Sequence, residues 1–511
     1  MSRDKRPNVV VFVADHWRAK DTGYWGNPVI QTPHADAVAS AGAGFRWCFA
    51  QNPVSTPSRV CMATGWYCHV NGHRTMHHML RRHEPNLLRY FKEAGYHVWW
   101  GGKNDMIAAE AAADSCHERI QGTGGRKTVS PKPWGPDHRL YHTFLWGEVP
   151  ENYGPSLYDD YVAEQAVAFL DRPPAEPFLM WVNQTFPHPP YAVAEPFFSM
   201  YDRAEVPSPI RPPEGFRGKP KILEAVHKRM RMDEITDEDL REIVAVYYGM
   251  ITKTDRNLGW IIEALKGRAL WDSTIVVVTS DHGDFAGDYL LTEKMQNTFE
   301  DALVNVPFAI RVPGCEPLAQ PAEALIELTD LLPTLAEACA IEIGHTHFGR
   351  SLLPILRGET AEHRRHVFCE GGALATEIHT HETDRPRENI YWPRVALQLA
   401  QPELHGKAVM IRSKEWKYVR RLYDTDELYD LRNDPDETRN LIADPALADV
   451  REALDGEMAI WFMETGDQVP WRWDLRSPNE PDPDWSQAAA RHGFASCRST
   501  PNSGPDHPHT G

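Results

Sequence analysis

Short apolar segments alternate with amphipathic segments along roughly the first two-thirds of the chain. Continuous apolar runs, which are typical of strands buried on both faces, occupy residues 9–14, 97–100, 178–182, 274–279 and 307–312. Helical periodicity predicts helices over residues 85–94, 158–170, 236–265 and 330–340. Gly259 predicts a break in the longest of them. Strands that alternate with helices predict an α/β fold, with a large, mostly parallel sheet sandwiched by helices.

Polar residues directly follow several of these predicted strands. Asp15 and His16 follow the first strand, and Asp281 and His282 follow the strand at residues 274–279. A carboxylate that follows a buried strand is costly unless it is hydrogen-bonded or binds a cation. An Asp-His pair offers oxygen and nitrogen ligands, so the two pairs predict a divalent metal site at the carboxyl edge of the sheet. Two unrelated turns are the alternative interpretation.

The pattern changes after about residue 365. Residues 408–411 and 416–420 alternate around the turn-like residues 413–415, which predicts an antiparallel hairpin. We predict three regions, namely a catalytic α/β domain, a smaller α+β domain with an antiparallel sheet, and an extended Pro-rich arm with a disordered tail, over residues 1–365, 366–465 and 466–511. The Trp-rich arm packs either on a neighbouring subunit, giving a homo-oligomer, or on its own chain.

Charge and cysteine usage narrow the possible partners and location. The 511-residue chain has a net charge of −18, which argues against nucleic acid or an anionic membrane surface as a partner. No apolar stretch approaches membrane-spanning length, and the run at residues 9–14 is too short for a signal peptide. The eight cysteines form no CxxC pair and lie among apolar residues, which predicts reduced thiols. We therefore expect a cytoplasmic protein.

A serine with a proline two residues to either side is the strongest candidate for the reacting group. Pro53 and Pro57 constrain the backbone around Ser55, which is placed to begin a helix with its side chain at the positive end. Arg59, one turn further, is placed to stabilise an oxyanion at residue 55. The alternative is a serine that only caps the helix.

This segment resembles the signature of the sulfatase family, within the alkaline phosphatase superfamily. That signature reads Cys or Ser, any residue, Pro, Ser and Arg, with Thr-Gly a few residues later. The matching positions are Ser55, Pro57, Ser58, Arg59, Thr64 and Gly65. Further family-like segments follow in the expected order at residues 8–15, 26–28, 32–36, 102–103, 187–189, 279–283, 294, 306–307, 328–334, 417–418, 427–431 and 433–435. The resemblance covers about residues 7–445.

The resemblance implies an alkaline-phosphatase-like fold and the hydrolysis of a sulfate ester, either an aryl sulfate or a sulfated sugar. It implies that residue 55 is oxidised to formylglycine, whose hydrate attacks sulfur with one hydroxyl and expels sulfate with the other. One divalent metal would be held by Asp15, Asp281, His282 and residue 55. The implied catalytic residues are Arg59, which would orient the hydrate, Lys103 and Lys294, which would bind sulfate oxygens, and His188, which would face the leaving group.

Three positions depart from the family pattern. His16 stands where the family often has a second Asp, so the metal is Ca²⁺ or a softer ion such as Mn²⁺. Asp105 replaces a histidine that usually contacts formylglycine, and the candidates to replace it are His73, His77 and His78. With Ser in place of Cys at position 55, the chain resembles the sulfatases that a radical-SAM enzyme matures in the cytoplasm.

Two other functions stay open from the sequence. The first is a phosphodiesterase or phosphonate monoester hydrolase on the same scaffold, in which Ser55 acts either oxidised or as encoded. The second is a non-catalytic anion-binding protein, which the departure at Asp105 supports. No sequence motif identifies the alcohol part of the substrate.

Overall fold

The computed structural model describes residues 6–470. Within this range the strands are β1 (Asn8–Ala14), β2 (Ala43–Phe49), β3 (His97–Gly102), β4 (Glu118–Ile120), β5 (Leu145–Glu148), β6 (Phe178–Asn183), β7 (Tyr191–Val193), β8 (Thr274–Ser280), β9 (Asn305–Arg311), β10 (Ala322–Glu327), β11 (Val367–Gly371), β12 (Ala408–Arg412), β13 (Trp416–Arg421) and β14 (Glu427–Asp430). The helices are α1 (Pro33–Ser40), α2 (Ser55–Thr64), α3 (Cys68–Asn71), α4 (Leu87–Glu93), α5 (Ala109–Ser115), α6 (Gly154–Asp171), α7 (Lys221–Arg229), α8 (Asp237–Gly267), α9 (Asp301–Val304), α10 (Leu331–Ala338), α11 (Leu353–Leu356), α12 (Trp392–Ala400) and α13 (Ala448–Thr465).

Eight strands form one large sheet in the order β10-β2-β9-β8-β1-β6-β3-β4. Strand β1 lies at its centre and pairs in parallel with both β6 and β8. Strand β9 runs antiparallel to its two neighbours, β2 and β8. The prediction of a mostly parallel sheet is therefore confirmed, with β9 as the exception.

Helices cover both faces of this sheet, as the α/β pattern predicts. Alternate residues of β1 point to opposite faces, so Val10 and Phe12 join one core while Val9 and Val11 join the other. The first core includes residues of α1, α6 and α8, and the second includes residues of α2, α4 and α10. A strand with helices on both sides must be apolar throughout, which explains the unbroken apolar sequence of β1.

The longest helix differs from its prediction. Helix α8 is one continuous helix over Asp237–Gly267, so the break predicted at Gly259 is wrong. A Cβ atom at Gly259 would lie 2.4 Å from Nε2 of His34 on α1. The glycine therefore permits close packing between two helices and does not interrupt α8.

A second, antiparallel sheet of four strands follows in the order β11-β12-β13-β14. Its β12–β13 pair is the predicted hairpin. Helix α13 packs on this sheet, with Trp461 stacked on Phe368 at a ring-centroid distance of 4.6 Å. Most of the predicted C-terminal arm, including Trp471, Trp473 and Trp485, lies outside the described residues. Between residues 6 and 470, no helix has both the length and the apolar character needed to cross a bilayer.

Candidate active site

The structure brings all nine predicted site residues to one edge of the large sheet. The loops after the carboxyl ends of β1, β3, β6 and β8 meet there, as expected for an α/β sheet. The residues gathered at this edge are Asp15, His16, Ser55, Arg59, Lys103, His188, Asp281, His282 and Lys294.

Ser55 is the first residue of α2 and is fully buried. Its Oγ lies 3.0 Å from Nε2 of His282 and donates to Oδ1 of Asp15 at 3.3 Å. The N-cap residue of the helix is Val54, and it makes no side-chain cap. Ser55 therefore does not act as a helix cap, since its hydroxyl points at the ends of β1 and β8.

Arg59 lies one helical turn after Ser55 and is also buried. Its Nε donates to Oδ2 of Asp281 at 2.7 Å, and its Nη1 donates to Oδ1 of Asn183 at 2.8 Å. Its Nη2 lies 3.6 Å from Oδ2 of Asp15. The planar guanidinium thus joins groups from three neighbouring strand ends, which the single amine of a lysine could not do.

The oxygen and nitrogen atoms around Ser55 suit a divalent cation. Asp15, His16 and His282 each offer one ligand atom, and these atoms lie within 4.8 Å of one another. Oδ1 of Asp281 lies 3.8 Å from Nε2 of His282, so a second buried carboxylate lies at the same place. Two carboxylates, imidazole nitrogens and the oxygen of Ser55 are hard to borderline ligands, which fit Ca²⁺ or Mn²⁺.

Protonation states agree with this donor set. Burial would raise the pKa of Asp15, but nearby cations, above all Lys103, lower it well below its usual value. Burial lowers the pKa values of both His16 and His282, and nearby lysines add to the effect. An ionised carboxylate and neutral imidazoles are the forms that bind a metal ion.

His16 has two well-defined partners. Its Nδ1 lies 2.6 Å from Oδ2 of Asp284, and its Nε2 lies 2.6 Å from Nζ of Lys294. The residue has a positive φ of 72°, and the hydroxyl of Tyr247 donates to its carbonyl oxygen at 2.6 Å. A histidine held by a carboxylate at one nitrogen presents the other in a fixed direction, which is typical of metal ligands.

Two lysines contact members of this group, since Lys103 pairs with Asp15 and Lys294 lies beside His16. Nζ of Lys103 donates to Oδ2 of Asp15 at 2.5 Å, and Nζ of Lys294 donates to Oε1 of Glu293 at 2.9 Å. Burial opposes the charge of Lys103, but Asp15 and Asp105 raise its pKa well above its usual value. Lys103 is therefore a permanent cation in the site.

His188 lies beside His16, with a ring-centroid distance of 4.3 Å. Its Nδ1 lies 2.6 Å from the carbonyl oxygen of Pro189. Burial, together with Lys103 and Lys294, lowers the pKa of His188 to about 3. The ring is thus neutral at pH 7, and donation from Nδ1 to the carbonyl leaves Nε2 as the free nitrogen.

Asp105 pairs with Lys103, since its Oδ2 lies 2.8 Å from Nζ of that lysine. Burial would raise the pKa of Asp105, but Lys103 lowers it below its usual value, with a smaller contribution from Arg59. Of the three histidines considered as replacements, His73 contacts Glu84, Nδ1 of His78 contacts Thr75, and His77 is exposed.

Several site residues were not singled out from the sequence. Asp284 orients His16 and accepts from the hydroxyl of Tyr191 at 2.5 Å, Glu293 pairs with Lys294, and Asn183 accepts from Arg59. Asp284 lies three residues after Asp281 in the same loop, and Asn183 is the last residue of β6. Their position at strand ends was the available signal, because the predicted site lies along that edge.

Comparisons with known proteins agree with this architecture. The chain is 26% identical to an ulvan-active sulfatase of Formosa agariphila, covering 91% of this chain and 83% of the relative. It is 26% identical to a Delta 4,5-hexuronate-2-O-sulfatase of Bacteroides thetaiotaomicron, covering 88% of each. Among solved structures, the phosphonate monoester hydrolase of Agrobacterium radiobacter superposes with a TM-score of 0.73 at 23% identity, covering 93% of this chain and 100% of that chain.

A family model gives the assignment. The model described as Sulfatase matches residues 7–341, which contain all nine site residues. Because this match spans well over half of the chain, the protein belongs to the sulfatase family and is a hydrolase.

Proposed function

We propose that this protein hydrolyses the sulfate ester of a sulfated sugar, or a small aryl sulfate, to an alcohol and inorganic sulfate. The observation that carries the proposal is the position of Ser55. Its Oγ lies among buried carboxylate and imidazole groups, with three cationic side chains around them. A nucleophile beside a metal site and several cations suits attack on an anionic ester, because the charge that develops in the transition state is stabilised.

The metal in this proposal is one divalent ion, Ca²⁺ or Mn²⁺, held by Asp15, Asp281, His282 and residue 55, with His16 as a further ligand. Such an ion supplies Lewis acidity and offsets the negative charge of the substrate. The support is the donor set itself, which combines carboxylate oxygens with imidazole nitrogens at full burial.

The cationic side chains have separate proposed roles. Arg59 orients the reacting oxygen of residue 55, since it is fixed by Asp281 and Asn183. Lys103 and Lys294 donate hydrogen bonds to the non-bridging sulfate oxygens. The ammonium group of Lys103 contacts Asp15 and that of Lys294 contacts His16, so both donors lie beside proposed metal ligands.

His188 is the proposed proton-transfer group on the leaving-group side. Its Nδ1 is occupied by the carbonyl oxygen of Pro189, so Nε2 is the nitrogen that exchanges a proton with the departing oxygen. Because the low pKa of His188 leaves the ring neutral with its proton on Nδ1, Nε2 first takes up a proton from water as the anionic ester binds and then gives it to the departing oxygen.

We propose that residue 55 works as formylglycine, made from Ser55 by a radical-SAM maturation enzyme in the cytoplasm. A sulfated serine would be hard to hydrolyse, whereas the hydrate of an aldehyde has a second hydroxyl that can expel sulfate. All described cysteines, between Cys48 and Cys369, are free thiols, which is consistent with a reducing compartment.

Sulfated sugars are the favoured substrate class because of the relatives. One relative is named as a sulfatase active on ulvan and another as a sulfatase of a hexuronate 2-O position. The second candidate is a phosphodiester or phosphonate monoester hydrolase. It is favoured by the geometry of Ser55 as encoded, whose hydroxyl already lies 3.0 Å from His282 and needs no conversion to join the site.

The test is mass spectrometry of the peptide that contains residue 55, from protein produced with and without a radical-SAM maturation enzyme. We expect the loss of two hydrogen atoms from Ser55 only with the enzyme, together with turnover of sulfated hexuronates or 4-nitrophenyl sulfate. Ser55→Ala should abolish turnover in both preparations. An intact serine with turnover of phosphate diesters or phosphonate monoesters would instead establish the second candidate. Sulfate binding without turnover of any ester, in metal-loaded protein, would establish a non-catalytic anion-binding protein.

A further inference from the structure

Asp105 adds a negative charge where the substrate is expected to bind. Its Oδ2 lies 2.8 Å from Nζ of Lys103, and the same ammonium group donates to Oδ2 of Asp15 at 2.5 Å. The side chain of Asp105 is 17% exposed, so its carboxylate is largely shielded from water. Lys103 is therefore shared between two carboxylates.

The other two cations of the site each form one close ion pair, and Arg59 also lies 3.6 Å from Asp15. Arg59 pairs with Asp281 at 2.7 Å, and Lys294 pairs with Glu293 at 2.9 Å. The four carboxylates that contact these three cations are Asp15, Asp105, Asp281 and Glu293. A neutral side chain in place of Asp105 would make the site more positive by one unit of charge, whether or not a divalent cation is bound.

The charge of a ligand decides how strongly it interacts with such a site. The repulsion between a fixed carboxylate and a bound anion is proportional to the anion's charge, and it is poorly screened away from water. A dianion therefore experiences twice the repulsion from Asp105 that a monoanion experiences. The geometry points to Asp105 as the residue that selects singly charged esters, such as sulfate monoesters, over doubly charged phosphate monoesters. This inference rests on the proposed function, because it assumes that the site binds an anionic ester.

Asp105→Asn tests this selection directly. The substitution keeps the size of the side chain, and Lys103 keeps its contact with Asp15. With phenyl sulfate and phenyl phosphate, the ratio of kcat/KM values should shift about threefold toward the phosphate ester at a pH where it is a dianion, because the dianion gains about tenfold and the monoanion about threefold. In equilibrium titrations without turnover, inorganic sulfate should bind about tenfold more tightly to the variant, whereas the monoanion methanesulfonate should gain only about threefold.

Two variants serve as controls. Asp105→Glu keeps the charge and should keep the selectivity of the original protein. Asp114→Asn changes the net charge of the chain by the same amount, but its carboxylate pairs with Arg82, so neither selectivity nor sulfate affinity should change.

Unchanged kcat/KM ratios and unchanged anion affinities in Asp105→Asn would overturn the inference while leaving the proposed function intact. If the original protein turned over no ester at all, the proposed function would fail. The titrations with sulfate and methanesulfonate would then still decide whether Asp105 discriminates anions by charge.

Discussion

At the scale of single residues, the site depends on a few buried polar groups that hold one another in place. Arg59 is the residue with the most connections, since it donates to Asp281 and Asn183 and approaches Asp15. Asn183 also accepts from the indole N–H of Trp181 at 3.1 Å. The guanidinium therefore sets the relative positions of the ends of β1, β6 and β8 around Ser55.

Arg59→Lys should impair both catalysis and folding. The lysine keeps a positive charge near Asp281 but cannot also donate to Asn183, whose oxygen retains its bond from Trp181. We expect kcat/KM to fall about 100-fold, with a loss of about 1–3 kcal/mol in the free energy of unfolding. Steady-state kinetics and urea denaturation measure the two effects. Arg89→Lys, on the surface of α4, is the control, and an equal loss of activity there would contradict the assignment.

At the scale of elements, the long helix α8 supports the face of the sheet on which β1 packs through Val10 and Phe12. Two of its glycines differ in how closely other atoms pack around them. A Cβ atom at Gly249 would lie 2.4 Å from the backbone oxygen of Phe197, whereas a Cβ atom at Gly267 would meet nothing within 4 Å. Close packing against backbone, and not helix propensity, therefore explains Gly249.

Replacing each glycine with alanine should change stability in opposite directions. Gly249→Ala is expected to lower the free energy of unfolding by about 1–3 kcal/mol, because backbone must move to make room. Gly267→Ala should raise it by up to about 1 kcal/mol, because alanine favours the helix. Urea denaturation of the two variants provides the measurement. If Gly249→Ala instead stabilised the protein, the backbone near Phe197 would have to move at little cost in free energy, which would contradict the prediction.

At the scale of the whole molecule, buried ion pairs join the two sheets. Asp301, at the start of α9 and just before β9, lies 2.9 Å from Nη2 of Arg412 on β12 and 2.7 Å from Nζ of Lys417 on β13. Lys417 also pairs with Glu437 at 2.6 Å. Strands of the small sheet are thus attached to the segment that continues from Lys294 toward β9.

This connection should make stability depend on acid pH. Burial would raise the pKa of Asp301, but Arg412 and Lys417 lower it from 3.8 to about 2. A carboxyl with a lower pKa in the folded state stabilises the fold above its unfolded pKa and loses that contribution as the pH falls through the folded pKa. Asp301→Asn should therefore cost about 2 kcal/mol at pH 7, and the difference from the original protein should shrink between about pH 4 and 2.

Denaturation at several pH values checks this dependence. Asp272→Asn is the matched control, since its carboxylate is 94% exposed and pairs with Arg311; exposed pairs contribute little. A difference between Asp301→Asn and the original protein that stays constant down to pH 2 would contradict the linkage.

The local hydrophobic pattern was sufficient to predict those elements whose sequence one physical factor explains. The unbroken apolar run of β1 follows from burial on both faces, and the hairpin of β12 and β13 follows from alternation around a turn. Strands β2 and β10 were missed because their sequences mix apolar with polar residues, including Arg46 on β2 and Glu323 on the edge strand β10. Whether Gly259 breaks α8 depends on packing against α1, which is distant in sequence, so the local hydrophobic periodicity cannot reveal it.

The same division holds for the site. The order of motifs, read through the family resemblance, named the nine residues, and the strand-end rule predicted that several of them meet at one edge. Only the fold showed that Asp284 holds His16, that Glu293 pairs with Lys294 and that Asp105 pairs with Lys103. Residue types and local order are properties of the chain, whereas a charge partner depends on which loops approach each other once the sheet has assembled.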